Sequence, residues 1–112
     1  IAWNKGHELV LMIYQIVEKF PSKENFVLIS QMCRSAVSIT SNIAEGFSRS
    51  TPKDKNHFYY ISLGSVTELQ NQLVISRDLG DIKDRKFSES ADQTVMVHKL
   101  INGLIKSNKN KY

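Results

Sequence analysis

The segment Ser48-Arg49-Ser50-Thr51-Pro52 separates the two longest stretches of helical periodicity in the chain, and it decides the fold. Thr51 can cap a helix through its hydroxyl, Pro52 fits the first helical position, and Asp54 follows in the first turn. A helix is therefore predicted to begin at residue 52, directly after another has ended near residue 47. A connection this short places the two helices side by side and antiparallel.

Outward from this turn, apolar residues spaced three, four or seven apart predict four helices. The predicted ranges are 3–20, 23–47, 52–79 and 84–107. Phe20-Pro21 ends the first helix, because proline disfavours helical geometry in the residue before it, and Gly80 supplies a left-handed cap after the third. No segment is convincing as a strand. We therefore predict an all-α chain in which one domain, residues 1–112, forms an antiparallel up-down-up-down four-helix bundle.

The predicted core follows apolar stripes along these helices. The first helix carries one stripe, formed by Trp3, Val10, Ile13, Tyr14, Val17 and Phe20. The second helix carries a longer stripe, formed by Phe26, Ile29, Cys33, Ala36, Val37, Ile43, Ala44 and Phe47. A second stripe beside it consists of Leu28, Met32 and Ile39. Two stripes on one helix predict burial on more than one of its sides.

The composition is that of a folded domain of ordinary size. The chain has 112 residues, of which 41% are hydrophobic and 23% charged, and this excludes a disordered or fibrous protein. The single Cys33 cannot form an internal disulfide and is expected to be a buried small hydrophobe in a reducing compartment. No apolar run approaches the roughly 18 residues of a membrane span. We therefore expect a cytoplasmic protein with no membrane partner.

The positive charge of the chain is concentrated near its C-terminal end. The net charge is +4, yet the first 98 residues hold 11 basic and 11 acidic side chains. The excess therefore comes from four lysines, Lys99, Lys106, Lys109 and Lys111. These lysines are the candidate contacts to RNA or DNA, and a solvated, frayed terminus is the alternative interpretation.

A polar stripe runs along the second and third predicted helices, because spacings of three and four align residues on one helix face. Its members are Arg34, Ser38, Asn42, Glu45, Arg49, Ser65 and Glu68. If the two helices pack antiparallel about a turn near residue 50, Arg34 falls opposite Glu68. We expect the two side chains to form a buried or half-buried ion pair, which fixes helix register more than it adds stability.

Two further expectations concern the same pair of helices. Asn42 and Glu45 are expected to bond the open backbone donors at the start of the third helix. Gly46 and Gly64 lie inside predicted helices, where glycine costs about 1 kcal/mol relative to alanine. Both glycines therefore predict places where another backbone comes close.

The sequence lacks the usual patterns of enzymes and metal sites. No Glu is followed by His three residues later, as a di-iron bundle requires. His7, His57 and His98 lie on three different predicted helices, without the spacing of a zinc site. The glycines are too far apart for a phosphate-binding loop. We predict no catalytic residue, no cofactor, no metal and no small-molecule substrate.

The run Ser38-Ile39-Thr40-Ser41-Asn42-Ile43-Ala44-Glu45-Gly46 resembles the signature of the 23S rRNA intervening-sequence proteins. Further matches extend over nearly the whole chain and include Trp3, Tyr14, Phe20-Pro21, Gln31, Arg34, Arg49, Gly64-Ser65, Glu68-Leu69 and Leu73. Two positions depart from the pattern. Thr40 stands where the family often has proline, which implies a straighter second helix. Ser35 stands where a second basic residue is common, which removes one cation from the surface.

This resemblance implies a left-handed bacterial four-helix bundle that assembles as a ring-shaped homopentamer and whose molecular activity is mostly unassigned. A related branch serves as the accessory protein of diversity-generating retroelements, in which a basic pentamer binds nucleic acid and a reverse transcriptase. Two functions follow as expectations. The first is a non-enzymatic homo-oligomer that contacts RNA or DNA through basic ends. The alternative is a structural or protein-partner oligomeric module that binds no nucleic acid.

Overall fold

The computed structural model describes residues 1–21 and 26–111, and in these ranges it has helices and no strand. The helices are α1 (Ala2–Glu18), α2 (Phe26–Phe47), α3 (Pro52–Asp78) and α4 (Asp84–Lys109). The all-α prediction is confirmed, and the described helix ends lie within two residues of the predicted ones. The predicted start of the second helix at residue 23 lies outside the described residues.

Successive helices pack against one another, and α1 also packs against α4. This closes the four helices into a bundle about 48 Å long with a hydrophobic core along its axis. The connections between helices are short, so neighbours run antiparallel, as predicted. One end of the bundle therefore holds the α2–α3 turn and the C-terminus of α4. The other end holds the α3–α4 connection and the C-terminus of α1.

The two connections that flank α3 follow the local chemistry of their residues. At the α2–α3 turn, the backbone N–H of Asp54 donates to Thr51 Oγ1 at 3.1 Å, and Pro52 is the first helical residue. At the α3–α4 connection, Gly80 has a φ of 81°, in the left-handed region that favours glycine. The N–H of Asp81 there donates to the carbonyl of Ser76 at 2.9 Å. Both predicted caps are confirmed.

The buried stripe of α1 agrees only in part with the predicted one, since Ile13, Val17 and the following Phe20 are buried as predicted but the other members differ. Its members are Ala2, Gly6, Leu9, Ile13 and Val17. Trp3 and Tyr14, which were predicted to be in the core, are 43% and 46% exposed. Adjacent residues point about 100° apart around a helix, so Trp3 and Tyr14 face away from buried Ala2 and Ile13. The buried positions Ala2 and Gly6 were missed because they are small and were not counted as apolar core residues. Gly6 is buried because α2 approaches it closely at Thr40 and Ile39.

The residues of the two predicted stripes of α2 differ in how far they are buried. Met32 and Ile39 of the shorter stripe are fully buried, together with Ala36 of the longer one. Phe26 and Phe47, from the longer stripe, are largely exposed. Both stripes therefore contribute to the core, since α2 packs against α1 and α3 and Ile43 of the longer stripe is buried too, while an apolar edge of this helix faces outward.

The two helical glycines differ in the space around them. A Cβ added to Gly46 would lie 2.6 Å from Tyr59 Cε1 and 2.9 Å from the carbonyl oxygen of Lys55, so the predicted close approach of α3 is confirmed there. A Cβ added to Gly64 would meet nothing within 4 Å, and the residue is exposed. The same prediction was therefore wrong for Gly64.

Candidate functional site

Hydroxyl groups, rather than ions, join α2 to α3 along the polar stripe. Ser38 Oγ and Ser65 Oγ share a hydrogen bond of 2.8 Å across the two helices. Asn42 Nδ2 donates to Ser38 Oγ at 3.1 Å and to the Ser38 carbonyl at 2.8 Å. Ser62 Oγ donates to the carbonyl of Ile39 at 2.8 Å and is fully buried. We call these side chains, Ser38, Asn42, Ser62 and Ser65, the hydroxyl seam.

The predicted ion pair between Arg34 and Glu68 is wrong. Both side chains belong to the described part of the chain, both are exposed, and no ion pair joins them. Two residues turn a helix by about 200°, which places a side chain on the opposite face. Arg34 is two residues from buried Met32 and Ala36, and Glu68 is two residues from buried Val66. Both charges therefore point away from the core and stay hydrated.

The predicted contacts from Asn42 and Glu45 to the start of α3 are also wrong. Asn42 bonds within α2, and Glu45 pairs with Arg49 at 2.8 Å on the surface. Thr51 already satisfies a donor at the start of α3, so no side chain of α2 is needed there. At this end of the two helices, the side-chain bond runs from α3 to α2. Lys55 Nζ donates to the carbonyl of Phe47 at 2.7 Å and so caps the end of α2.

We expect Glu68→Ala to lower the free energy of unfolding by well under about 1 kcal/mol, because an exposed carboxylate without a partner loses little. The matched change Ser62→Ala removes a buried hydroxyl from the same helix and is expected to cost about 1 kcal/mol. Urea denaturation of the two variants measures the difference. A loss of several kcal/mol for Glu68→Ala would show that Arg34 is buried and paired after all.

Three of the four lysines near the C-terminal end belong to a helix rather than to a frayed tail, and Lys111 follows that helix in a turn. α4 continues to Lys109, so Lys99, Lys106 and Lys109 all occupy helical positions. The last turns of α4 are fastened to α3 inside the bundle. Asn56 Nδ2 donates to the carbonyl of Ile105 at 3.1 Å, and Asn108 Nδ2 donates to Asn56 Oδ1 at 2.9 Å. A rigid helix therefore positions these lysines.

The fold brings these lysines beside cations of the α2–α3 turn. We define the basic end as residues 45–60 and 105–111. It contains two acids, Glu45 and Asp54, and six cations, namely Arg49, Lys53, Lys55, Lys106, Lys109 and Lys111. At the opposite end, residues 18–21 and 77–89 contain five cations and five acids. The described bundle is thus polarised along its length.

Half of the cations of the basic end were predicted from the sequence. Lys106, Lys109 and Lys111 were predicted as candidate contacts, and all three are exposed. Lys99 lies ten residues before Lys109, which is about 15 Å along a helix, so it falls outside the basic end. The cations of the α2–α3 turn were missed as candidates, except that Arg49 had been assigned to the polar stripe. The predicted antiparallel topology contained the signal, because it places residue 50 and the end of α4 at one end of the bundle.

Aromatic rings are interleaved with the cations of the basic end. Arg49 Cζ lies 4.4 Å from the centroid of the Phe58 ring. Two exposed rings have a lysine beside them. Lys55 Nζ lies 5.4 Å from the Phe47 ring, which is 77% exposed, and Lys109 Nζ lies 5.6 Å from the Tyr60 ring, which is 48% exposed. This arrangement combines charge with flat apolar surface.

Other chemistry has little support in the described residues. Within residues 1–21 and 26–111, no three His, Cys, Asp or Glu side chains come together to hold a metal ion. Burial raises the pKa of the Cys33 thiol, and a hydrogen bond with Tyr14 offsets part of that rise, so the thiol stays protonated near neutral pH. Across the same ranges, no helix has both the length and the hydropathy to cross a bilayer.

The fold and its charged end define an antiparallel four-helix bundle with one basic end. The model of the 23S rRNA-intervening sequence protein family matches residues 1–103, and the chain belongs to this family. A crystal structure from Bacteroides thetaiotaomicron, of a protein of unknown function from the S23 ribosomal protein family, superposes with a TM-score of 0.88 at 21% identity. The alignment covers 95% of this chain and 99% of that one. No curated protein sequence matches the chain.

Proposed function

We propose that this protein is a non-enzymatic homo-oligomer that contacts RNA or DNA through its basic end. The observation that carries the proposal is the asymmetry of charge, because six cations face two acids at one end while the other end is balanced. A folded surface that concentrates cations is the electrostatic footprint of a nucleic-acid binder. Phosphate contacts release counterions from the nucleic acid, and this release supplies most of the sequence-independent affinity.

The homo-oligomeric part of the proposal rests on an apolar edge shared by α1 and α2. Trp3, Tyr14, Phe26 and Val37 are large apolar side chains that remain exposed in the single chain. Tyr14 on α1 lies beside Cys33 on α2, one turn before Val37, so this edge continues from one helix to the other. Contiguous apolar surface of this kind is typical of an interface between proteins. A second copy of the chain is the proposed occupant.

The resemblance noted in the sequence suggests a ring of five copies, and we include this number in the proposal. A ring would hold five basic ends at fixed spacing. Linked binding sites raise the overall affinity without any new contact, provided that one nucleic acid strand can reach several of them. A modest affinity of each basic end would then suffice.

The charge proposal predicts a specific loss of salt dependence. We expect the triple variant Lys106→Gln, Lys109→Gln, Lys111→Gln to bind a single-stranded ribosomal RNA fragment more weakly. The slope of log affinity against log salt should become less steep by about 2, since each lost phosphate contact on a single strand contributes about 0.7. Fluorescence anisotropy with labelled RNA and DNA fragments at several salt concentrations measures both quantities.

The opposite end of the bundle supplies the matched control. Lys83→Gln, Arg85→Gln, Lys86→Gln also removes three cations, and it is expected to leave the slope unchanged. Equal losses in the two triple variants would contradict a localised site. Absence of binding by the unchanged protein at low salt would overturn the nucleic-acid part of the proposal.

Light scattering on the same samples tests the homo-oligomer. A mass five times the 12.8 kDa of the chain supports the ring, and a mass of 12.8 kDa overturns the homo-oligomer. An oligomer that binds neither RNA nor DNA would favour the second candidate function, a structural or protein-partner module. The exposed apolar edge of α1 and α2 is the observation that supports this second candidate function.

A further inference from the structure

The basic end carries exposed aromatic rings, and such rings are not required for binding a phosphate backbone. Phe47 has a large apolar ring, yet it is 77% exposed at the last position of α2. Tyr60 is 48% exposed on α3. Exposing such rings to water is unfavourable, and they are placed where the cations are concentrated. A surface for duplex backbone would require only the cations.

We propose that the basic end binds single-stranded RNA or DNA, with unstacked bases resting on the rings of Phe47 and Tyr60. This inference rests on the proposed function and names the kind of nucleic acid that it concerns. In a duplex the faces of the bases are stacked on one another and are unavailable to side chains. In a single strand they are free to stack on aromatic rings, whatever the base.

A third stacking surface is the guanidinium of Arg49. One face of this planar group lies over the Phe58 ring at 4.4 Å, while the side chain as a whole stays exposed. Glu45 holds the guanidinium through a hydrogen bond of 2.8 Å. A base can stack on the outer face of a guanidinium that is held in this way, and its positive charge also attracts the adjacent phosphate.

The cations beside the rings are held in place before any ligand arrives. Lys55 Nζ bonds the carbonyl of Phe47 at 2.7 Å and lies 5.4 Å from the ring of the same residue. Lys109 Nζ lies 5.6 Å from the Tyr60 ring. Side chains that are already ordered lose less entropy on binding, so charge and ring are presented together at low cost.

The test compares one labelled single strand, its duplex of equal length, and an abasic strand with the same number of phosphates. We expect Phe47→Leu to weaken binding of the single strand about tenfold, because leucine is apolar but offers no flat face. Phe47→Tyr should restore the affinity. Binding of the duplex should change less than twofold in both variants, and the salt slope should stay constant because no charge is lost.

Phe87→Leu is the matched control, since Phe87 also has a cation beside its ring, with Arg77 Cζ 4.5 Å from the centroid, but lies at the opposite end of the bundle. It should leave binding unchanged. The abasic strand needs no variant, and it should bind the unchanged protein more weakly than the full strand binds Phe47→Leu, because it can stack on none of the three surfaces. Light scattering confirms that each variant keeps the mass of the unchanged protein, which separates loss of stacking from loss of assembly.

The outcomes separate this inference from the proposed function. If the unchanged protein binds neither strand nor duplex at low salt, both proposals fail. If it binds duplex, single strand and abasic strand equally, and Phe47→Leu is neutral, stacking is overturned while the charge proposal stands. A tenfold loss that Phe47→Leu shows equally for the duplex would also overturn stacking.

Discussion

Gly46→Ala is expected to lower the free energy of unfolding by about 2–3 kcal/mol, although alanine is the better helix former. The added Cβ would lie 2.9 Å from the carbonyl oxygen of Lys55. That oxygen belongs to the backbone of α3 and can move away only if α3 shifts as a whole. The ring of Tyr59, at 2.6 Å, is buried in the core and has little room to turn aside. The new methyl group therefore forces apart the two helices that meet at the basic end.

Gly64→Ala provides the matched control and should have the opposite sign. This glycine is exposed in the middle of α3 with no atom within 4 Å of an added Cβ. Alanine there is expected to raise the free energy of unfolding by about 0.5–1 kcal/mol, because it restricts the unfolded chain. Urea denaturation of both variants gives the comparison. Equal effects of the same sign would mean that α2 and α3 are not in close contact at Gly46.

Asn56→Ala is expected to lower the free energy of unfolding by about 2–4 kcal/mol. Asn56 is 2% exposed and bonds both the Ile105 carbonyl and the Asn108 amide. Its removal leaves Asn108, itself buried, without this acceptor, and each buried group left unsatisfied costs about 1–3 kcal/mol. The lost volume adds a cavity between α3 and α4. The C-terminal turns of α4, which carry the lysines of the basic end, should loosen first.

Two measurements check this expectation. Urea denaturation gives the total loss, with Asn102→Ala as the control. Asn102 is an exposed asparagine of α4 whose side chain, among the described residues, bonds only His98 of the same helix, and its removal should cost less than about 0.5 kcal/mol. Amide hydrogen exchange should show faster opening of residues 105–109 in Asn56→Ala than elsewhere in α4. A loss as small as that of Asn102→Ala would contradict a buried amide pair.

Features that depend on neighbouring residues in the sequence were predicted well. The start of α3 follows from Thr51 and Pro52, whose effects act within a single turn of helix. The end of α3 follows from the left-handed conformation of Gly80. The short turn between α2 and α3 then determined which helix ends meet. These local rules were enough for the fold class, the helix bounds and the antiparallel arrangement.

Features that depend on the rotation of each helix about its axis were predicted poorly. The spacing of Arg34 with Ser38 and Asn42 shows that they share a stripe, but not whether this stripe points inward. The core side of α2 is the side of Met32 and Ala36. Arg34, the first residue of the polar stripe, therefore points into solvent. Small residues made the stripe of α1 equally hard to find. The rotation of each helix is determined by how all the helices pack together. The spacing of residues within one helix does not give this information.

The candidate site could be predicted only in part, for a related reason. The lysines of α4 form a visible excess of charge along the sequence. Arg49, Lys53 and Lys55 lie near two acids, so they hide in a segment of ordinary composition. The exposed ring of Phe47 looked like a core residue because its spacing fits an apolar stripe. Its exposure to solvent depends on how the helices end at this part of the bundle, and the sequence spacing does not show this.

The hydroxyl seam between α2 and α3 has a practical consequence. Hydroxyl and carbonyl groups carry no net charge, so dissolved ions scarcely screen the bonds between Ser38, Ser62 and their partners. The central hairpin should hold together over a broad range of ionic strength. The salt concentration can therefore be varied to measure how surface charges bind a ligand. Added salt screens those charges but does not unfold the pair of helices.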